Sequence, residues 1–220
     1  MIAIAIDGPG GAGKSTMARA LAKELGYVYV DTGALYRAIG LYMRRAGVPT
    51  ADHEAVAARL TGVQVRLAFQ NGEQRVFLGE EDVSDAIRTQ DISIAASNVS
   101  AVPQVRDFLF DLQRDLAKKN NVVMDGRDIG TVVLPHAQVK LFLTASPEER
   151  AQRRYQELLE KGMQADYEQV LTELKQRDYD DSHRTVAPLV PADDAVLVDS
   201  TGLTREQALQ RLLETVQSKL

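Results

Sequence analysis

The 220-residue sequence predicts an α/β fold in three layers, a parallel sheet with helices on both faces. Short apolar runs that end in turns alternate with stretches of helical apolar spacing, and strands joined through helices pair in parallel. The first strand-to-helix junction carries "DGPGGAGKST", where Gly8, Gly13, Lys14 and Ser15 fit G-x-x-x-x-G-K-[ST], the spacing of a phosphate-binding P-loop. Further along, one segment switches to hairpin texture and predicts a small β insert.

Taken in order, residues 2–6 (IAIAI) read as a buried strand closed by a glycine turn. Met17, Ala18, Leu21, Ala22 and Leu25 follow at helical spacing, and Gly26 is the expected stop. "YVYVDTGALYRAIGLYMRRAG" gives a short strand, a turn and a second helix, with Thr32 as the expected N-cap. From about 50 to 90, "VQVRLAF" and "QRVFLGEEDV" alternate around Asn71-Gly72, a hairpin signal. Val102, Val105, Phe108, Leu109, Leu112 and Leu116 then share one helical face, with Pro103 in its first turn. "NVVMD" and "QVKLFLTAS" are two more strands, and Ser146-Pro147-Glu148-Glu149 reads as a capping box opening a charged, mostly helical stretch over about 147–183. "AVLVDST" is the last strand, and Thr204 with Gln207 starts a terminal helix.

The bulk numbers narrow the function. Hydrophobic content is 45% and charged content 26%, ordinary for a globular chain. Acidic residues outnumber basic ones by 31 to 26, so any binding of phosphate rests on local basic clusters, not on a coat for nucleic acid. The absence of cysteine excludes disulfides and thiolate-bound metals. The N-terminal apolar run is too short for a signal segment, and no run approaches the roughly 18 apolar residues of a membrane span. A cytoplasmic monomer without nucleic-acid or membrane partners is expected. His53, His136 and His183 are unclustered and support neither a metal site nor a triad.

The chemistry should gather at the carboxyl ends of the strands, where an open parallel sheet places its ligand crevice. There the P-loop amides cradle phosphate, Lys14 reaches the outer phosphates, and Ser15 can ligand Mg²⁺. "DGRDIGT" (125–131) follows a strand and brings Asp125, Arg127 and Asp128 toward the same space, although both aspartates would also serve as turn caps. Arg150, Arg153 and Arg154 lie near one helix face, and Arg177, Asp181 and Arg184 fall at i, i+4 and i+7. A solvated, salt-bridged surface produces such a pattern too. Beside a P-loop it also suits an arginine-bearing lid that supplies positive charge and excludes water.

With "IDGPGGAGKST", "DTGALYRA", "NGEQRVFLGEEDVSDAIRTQDISIAAS", "PQVRDFL", "MDGRDIGTVV", "ERAQRR" and "VAPLVPADDAVLVDST" in place, the chain resembles the bacterial-type cytidylate kinases over essentially its whole length. The resemblance implies an adenylate-kinase-like core (1–49, 91–149 and 185–220), a nucleoside-monophosphate-binding insert with a small β-sheet (about 50–90) and a short lid (about 150–184). It implies that Gly8, Pro9, Gly10, Gly11, Ala12, Gly13, Lys14, Ser15 and Thr16 hold the phosphates of ATP. Thr32 would line the acceptor site, Arg37 and Arg127 would hold the CMP phosphate, and Ser97, Arg106 and Asp128 would read cytosine. Arg177 and Asp181 would contact the pentose, with Arg184 between the two substrates. Lys14, Arg127, Arg154 and Arg184 form the implied catalytic set, and Arg153 is the alternative lid arginine. The family's usual Gly-Thr after the lysine is Ser15-Thr16 here, which leaves two hydroxyls for Mg²⁺, with Ser15 the expected ligand.

The implied reaction is transfer of the γ-phosphoryl group of Mg·ATP to CMP or dCMP, with pyrimidine nucleotides as products. The acceptor is already an anion, so positioning and charge stabilisation carry the catalysis. Two other readings fit the P-loop: a kinase for UMP or shikimate, and a GTP switch, which the missing N-K-x-D motif and the arginine-rich stretch disfavour.

Overall fold

The computed structural model describes residues 1–70, 73–160 and 162–220. Its centre is a five-stranded sheet of β1 (Ala3–Asp7), β2 (Val28–Asp31), β6 (Val122–Asp125), β7 (Val139–Thr144) and β8 (Val196–Asp199). The order is β2-β6-β1-β7-β8 and every pairing is parallel, as the alternation of strands and helices predicts. A second, antiparallel sheet of β3 (Val65–Gln70), β4 (Glu73–Leu78) and β5 (Glu81–Asp82) forms the predicted insert. The expected Asn71-Gly72 turn between its first two strands lies outside the described residues.

The period-2 alternation of β1 divides the core. Ile4 and Ile6 face one way, against Leu21 and Ala18 of α1 (Lys14–Leu25), Leu212 and Val216 of α8 (Arg205–Gln217), and Leu141 and Leu143. Ala3 and Ala5 face the other way with Val30 and Met124, beneath α5 (Pro103–Lys119) and the π-turn Ile129–Val133. Each large side chain so buried contributes about 1.5–3 kcal/mol. Beside the sheet, Leu35 and Ile39 of α2 (Thr32–Arg45) pack with Val56 of α3 (His53–Arg59), Val99 of α4 (Gln90–Ser100) and Leu109 of α5. Thus α3, which falls within the expected insert, joins this cluster, and the antiparallel sheet starts only at Val65. Val76, Val83 and Ile87 dock that sheet on Ala34 and Ala38 of α2.

The charged stretch forms two helices, α6 (Pro147–Glu160) and α7 (Tyr167–His183), joined through Ala151, Leu158 and Val170. Gly26 and Pro103 sit at the predicted stop and start, and Thr204 with Gln207 completes a capping box. Local expectations fail in three places. Asp31, not Thr32, caps α2: its shorter-range carboxylate accepts from the Ala34 amide at 2.9 Å, which frees Thr32 to donate to the Asp125 carbonyl. Only half of the capping box at α6 forms, because the Ser146 amide bonds Thr201 and Glu149 turns to Arg153. Phe108 is exposed: the buried stripe of α5 runs through Val105 and Leu109 and leaves Phe108 at its edge. The helix α4 packs closely on α2, where a Cβ on Gly40 would stand 3.0 Å from the Ala95 Cβ.

Candidate active site

The P-loop leaves β1 through Gly8, whose φ of 148° and position allow no side chain: a Cβ there would lie 2.0 Å from the Leu143 carbonyl oxygen. Gly11 and Gly13 follow in the left-handed region. Gly13 occupies the N-cap of α1 without a side-chain cap, so the first amides of the helix face the loop, the arrangement that binds anions. Lys14 is buried and its Nζ donates to the Pro9 carbonyl at 2.7 Å. Burial, reinforced by Arg127 nearby, lowers its pKa well below the ordinary lysine value.

Strands β1, β2 and β6 each end on a buried aspartate, and adjacency does the rest. Asp31 and Asp125 are register partners. Asp125 accepts from Ser15 Oγ at 2.8 Å and from the Tyr29 hydroxyl at 3.0 Å. Burial, with Asp31 beside it, pushes its carboxyl up to about 6. Thr16, by contrast, is exposed. Asp31 gathers arginines from two elements, Arg88 from the insert at 3.0 Å and Arg37 from α2 at 3.6 Å. Gln74 of β4 clamps the same residue through its backbone, accepting from the Asp31 amide and donating to its carbonyl.

The loop after β6 and the end of α7 complete the site. Arg127 Nε donates to Asp181 at 2.8 Å. Arg106 of α5 pairs with Asp128 and lies over the Tyr36 ring, while Arg184 stands 3.8 Å from Asp128 and donates to Ser100 Oγ. Gly10 brings the P-loop under this cluster: a Cβ there would be 3.6 Å from Arg127 Nη2 and 3.8 Å from Arg177 Cδ. Nitrogens of Arg37, Arg177 and Arg184 are buried with no hydrogen-bond partner among the described residues. Burial and the neighbouring Arg127 push Arg177 down to about 10. Concentrated positive charge with unused donors is chemically a receptacle for anions.

The predicted residues therefore converge for the most part. Lys14, Arg37, Arg106, Arg127, Asp128, Arg177, Asp181 and Arg184 are linked through these contacts, and Thr32 is tied to the same strand end. Ser97 lies on α4, where Ser100 donates to its carbonyl; the serine hydroxyl bonded by Arg184 is that of Ser100. Arg154 bonds Glu157 and Gln90, away from the P-loop, whereas Arg153 Nη1 approaches within 3.9 Å of a Cβ placed on Gly13. Sequence reasoning misses Asp7 and Asp31; it brings Asp125 toward the site and groups Arg150 with the lid arginines, without a partner for either. Arg150 is buried and bridges the Gly10 carbonyl to Asp178 of α7, joining loop and lid helix. An aspartate closing an apolar strand is the available signal for Asp7 and Asp31; nothing in the spacing separates Arg150 from Arg153 and Arg154.

Fold and site together define a P-loop phosphotransferase architecture, with an anion cradle facing an arginine cluster. The sequence profile described as cytidylate kinase matches residues 4–218, and the chain belongs to the cytidylate kinase family. A cytidylate kinase from Exiguobacterium sp. is 52% identical over 218 residues, covering 98% of this chain and 97% of that one. One from Caldicellulosiruptor saccharolyticus is 51% identical over 213 residues, covering 97% and 94%. The crystal structure of an uncharacterized protein from Eubacterium ventriosum shares the fold, with a TM-score of 0.54 at 12% identity and 99% of each chain covered.

Proposed function

We propose that the protein catalyses ATP-dependent phosphorylation of CMP and dCMP to the diphosphates, as a cytoplasmic, monomeric enzyme of pyrimidine metabolism. The observation that carries the reading is the arginine cluster that reaches the P-loop at Gly10, where Arg127 Nη2 and Arg177 Cδ stand 3.6 and 3.8 Å from a Cβ placed there. In this reading the loop from Gly8 to Thr16 holds the donor phosphates, with Lys14 exchanging its bond to Pro9 for a phosphate oxygen. Arg37 and Arg127 hold the acceptor phosphate, beside Thr32. Arg177 and Asp181 meet the pentose, and Arg184 lies between the two phosphates. Residues 65–90 would close over the acceptor and 150–184 over the donor, with Arg153 or Arg154 on the lid.

The pair Ser15–Asp125 fits Mg²⁺: a hydroxyl and a carboxylate, both oxygen donors, sit against the phosphate loop. When bound, the ion would neutralise charge on the donor phosphates. The protein's own contribution is to hold two polyanions in line and meet their charge with planar, always-charged guanidinium groups.

Base choice falls to Asp128 with Arg106 and Ser97. Cytosine offers an amino donor where uracil has a carbonyl, and an ionised carboxylate only accepts. A coupled assay of ADP release with CMP, dCMP, UMP and AMP tests the function: turnover requires an acceptor and favours the cytosine nucleotides. Asp128→Asn should cut the CMP-over-UMP preference in kcat/KM by roughly five- to a hundredfold, from a contact worth about 1–3 kcal/mol. Equal slowing with both nucleotides would remove Asp128 from base reading.

A further inference from the structure

Asp7 has no place in the substrate contacts described above. It ends β1 immediately before Gly8, and it is only 3% exposed. Its Oδ1 accepts from the Ile129 amide and its Oδ2 from the Gly130 amide, each at 2.7 Å. These are the opening amides of the π-turn, which lack partners within a helical turn. The residue ordinarily placed to cap them is Asp128, but its carboxylate is turned away to Arg106 and Arg184. The cap comes instead from another strand.

The consequence concerns the peptide joining Asp128 to Ile129. Asp7 holds its N–H end, while its carbonyl accepts from the amides of Val132 and Val133 at 2.9 and 3.1 Å. Gly126 is tied back to β1 through the Ile6 carbonyl at 3.1 Å. Both flanks of Asp128 are thus fastened to one strand end, which fixes the direction of its side chain. Stability alone does not favour this arrangement, since burial pushes the Asp7 carboxyl up to about 7.

We propose that Asp7 is a positioning residue for cytosine selection, holding Asp128 in place through the amides of Ile129 and Gly130. The proposal rests on the reading of Asp128 as the base-reading carboxylate. Through Asp7 the donor loop and the base-reading loop share one anchor.

The test compares wild type, Asp7→Asn and Asp128→Asn at pH 8.5, where the Asp7 carboxylate is ionised. Asparagine keeps one acceptor and opposes the second amide with a donor. In Asp7→Asn, hydrogen exchange at Ile129 and Gly130 should accelerate at least about tenfold. The CMP-over-UMP preference in kcat/KM should fall at least about fivefold, mainly through KM for CMP, with KM for ATP within about twofold of wild type. A lower melting temperature with the base preference intact would make Asp7 merely structural and overturn the proposal. So would fast exchange of the two amides in the wild type. An unchanged preference in Asp128→Asn would bring down the reading of Asp128 itself, and the proposal with it, whatever Asp7→Asn does. Should Asp7→Asn fail to fold, Asp7→Ser, smaller and still an acceptor, is read in the same assays with the same criteria.

Discussion

Replacing Asp31 separates two tasks that one carboxylate performs. Asparagine keeps the oxygen that accepts from the Ala34 amide, and it caps helices about as well as aspartate. What Asp31→Asn removes is the charge facing Arg88 and Arg37, whose side chains are 45% and 24% exposed. Water screens both partners, so each pair counts for about 0.5–1 kcal/mol, short of a fully buried pair. Asp31→Asn should therefore cost about 1–2 kcal/mol, and Asp31→Ala about 1 kcal/mol more through the lost cap. At about 2–4 °C per kcal/mol for a chain of this size, Tm should fall by about 2–8 °C in the first and about 4–12 °C in the second. The pH dependence has a definite sign. Burial works against the Asp31 charge, but Arg37 and Arg88 outweigh it and hold the carboxyl below its ordinary 3.8. The folded-state value is depressed, so the stabilisation is complete above the ordinary value and fades as pH falls through the folded one. Thermal melts from neutral pH into acid should show the gap between wild type and Asp31→Asn narrow. Steady-state kinetics should show KM for CMP raised about three- to tenfold, as Arg37 loses its anchor, with KM for ATP unchanged. Equal losses of Tm in the two variants would refute the division between cap and charge. A gap that stays constant into acid would refute the electrostatic part.

Ser15→Ala should weaken the Mg²⁺ dependence of turnover and lower kcat about ten- to a hundredfold, while Thr16→Ala stays within about threefold; a Mg²⁺ titration at fixed ATP checks both, and the reverse order would move the ligand to Thr16. Gly8→Ala should lower Tm by about 5 °C or more, because the new methyl meets the Leu143 carbonyl and the backbone must shift; a melt within about 2 °C of wild type would contradict that geometry.

What the sequence made legible is what lies close along the chain. The P-loop is a spacing, the helices are periods, and the insert is an alternation broken by a turn, so each was readable within about a dozen residues. Even there, neighbouring candidates compete. Asp31 and Thr32 are both good caps, and only the strand position of Asp125 shows why the threonine hydroxyl turns to the sheet instead. The illegible contacts join distant segments. Gln74 clamps the Asp31 backbone from another sheet, and Arg150 bonds the P-loop on one side and α7 on the other. Spacing on α6 grouped Arg150 with Arg153 and Arg154. Tertiary packing gave the three different partners and buried only the first.

The same tertiary packing explains how so many arginines coexist in one buried cluster. Guanidinium groups repel and are costly to bury, so without substrate the cluster needs internal anions. The fold supplies an aspartate for each of several positions: Asp31 for Arg37, Asp128 for Arg106, Asp181 for Arg127 and Asp178 for Arg150. These pairs hold the forks in fixed orientations, so less ordering remains to be done when nucleotides arrive. They do not satisfy every donor. Among the described residues, Arg37 Nη1, Arg177 Nε and Arg184 Nη2 are buried without a hydrogen bond, the first and last standing 3.6 and 3.8 Å from Asp31 and Asp128, and they belong to the residues assigned to acceptor phosphate, pentose and transfer. A site whose aspartates consumed all the donors would be more stable and would bind phosphate poorly. One without aspartates would not assemble before its substrates bound. The distribution of partners seen here meets both requirements, since the aspartates orient the arginines and leave buried guanidinium nitrogens without a hydrogen bond among the described residues.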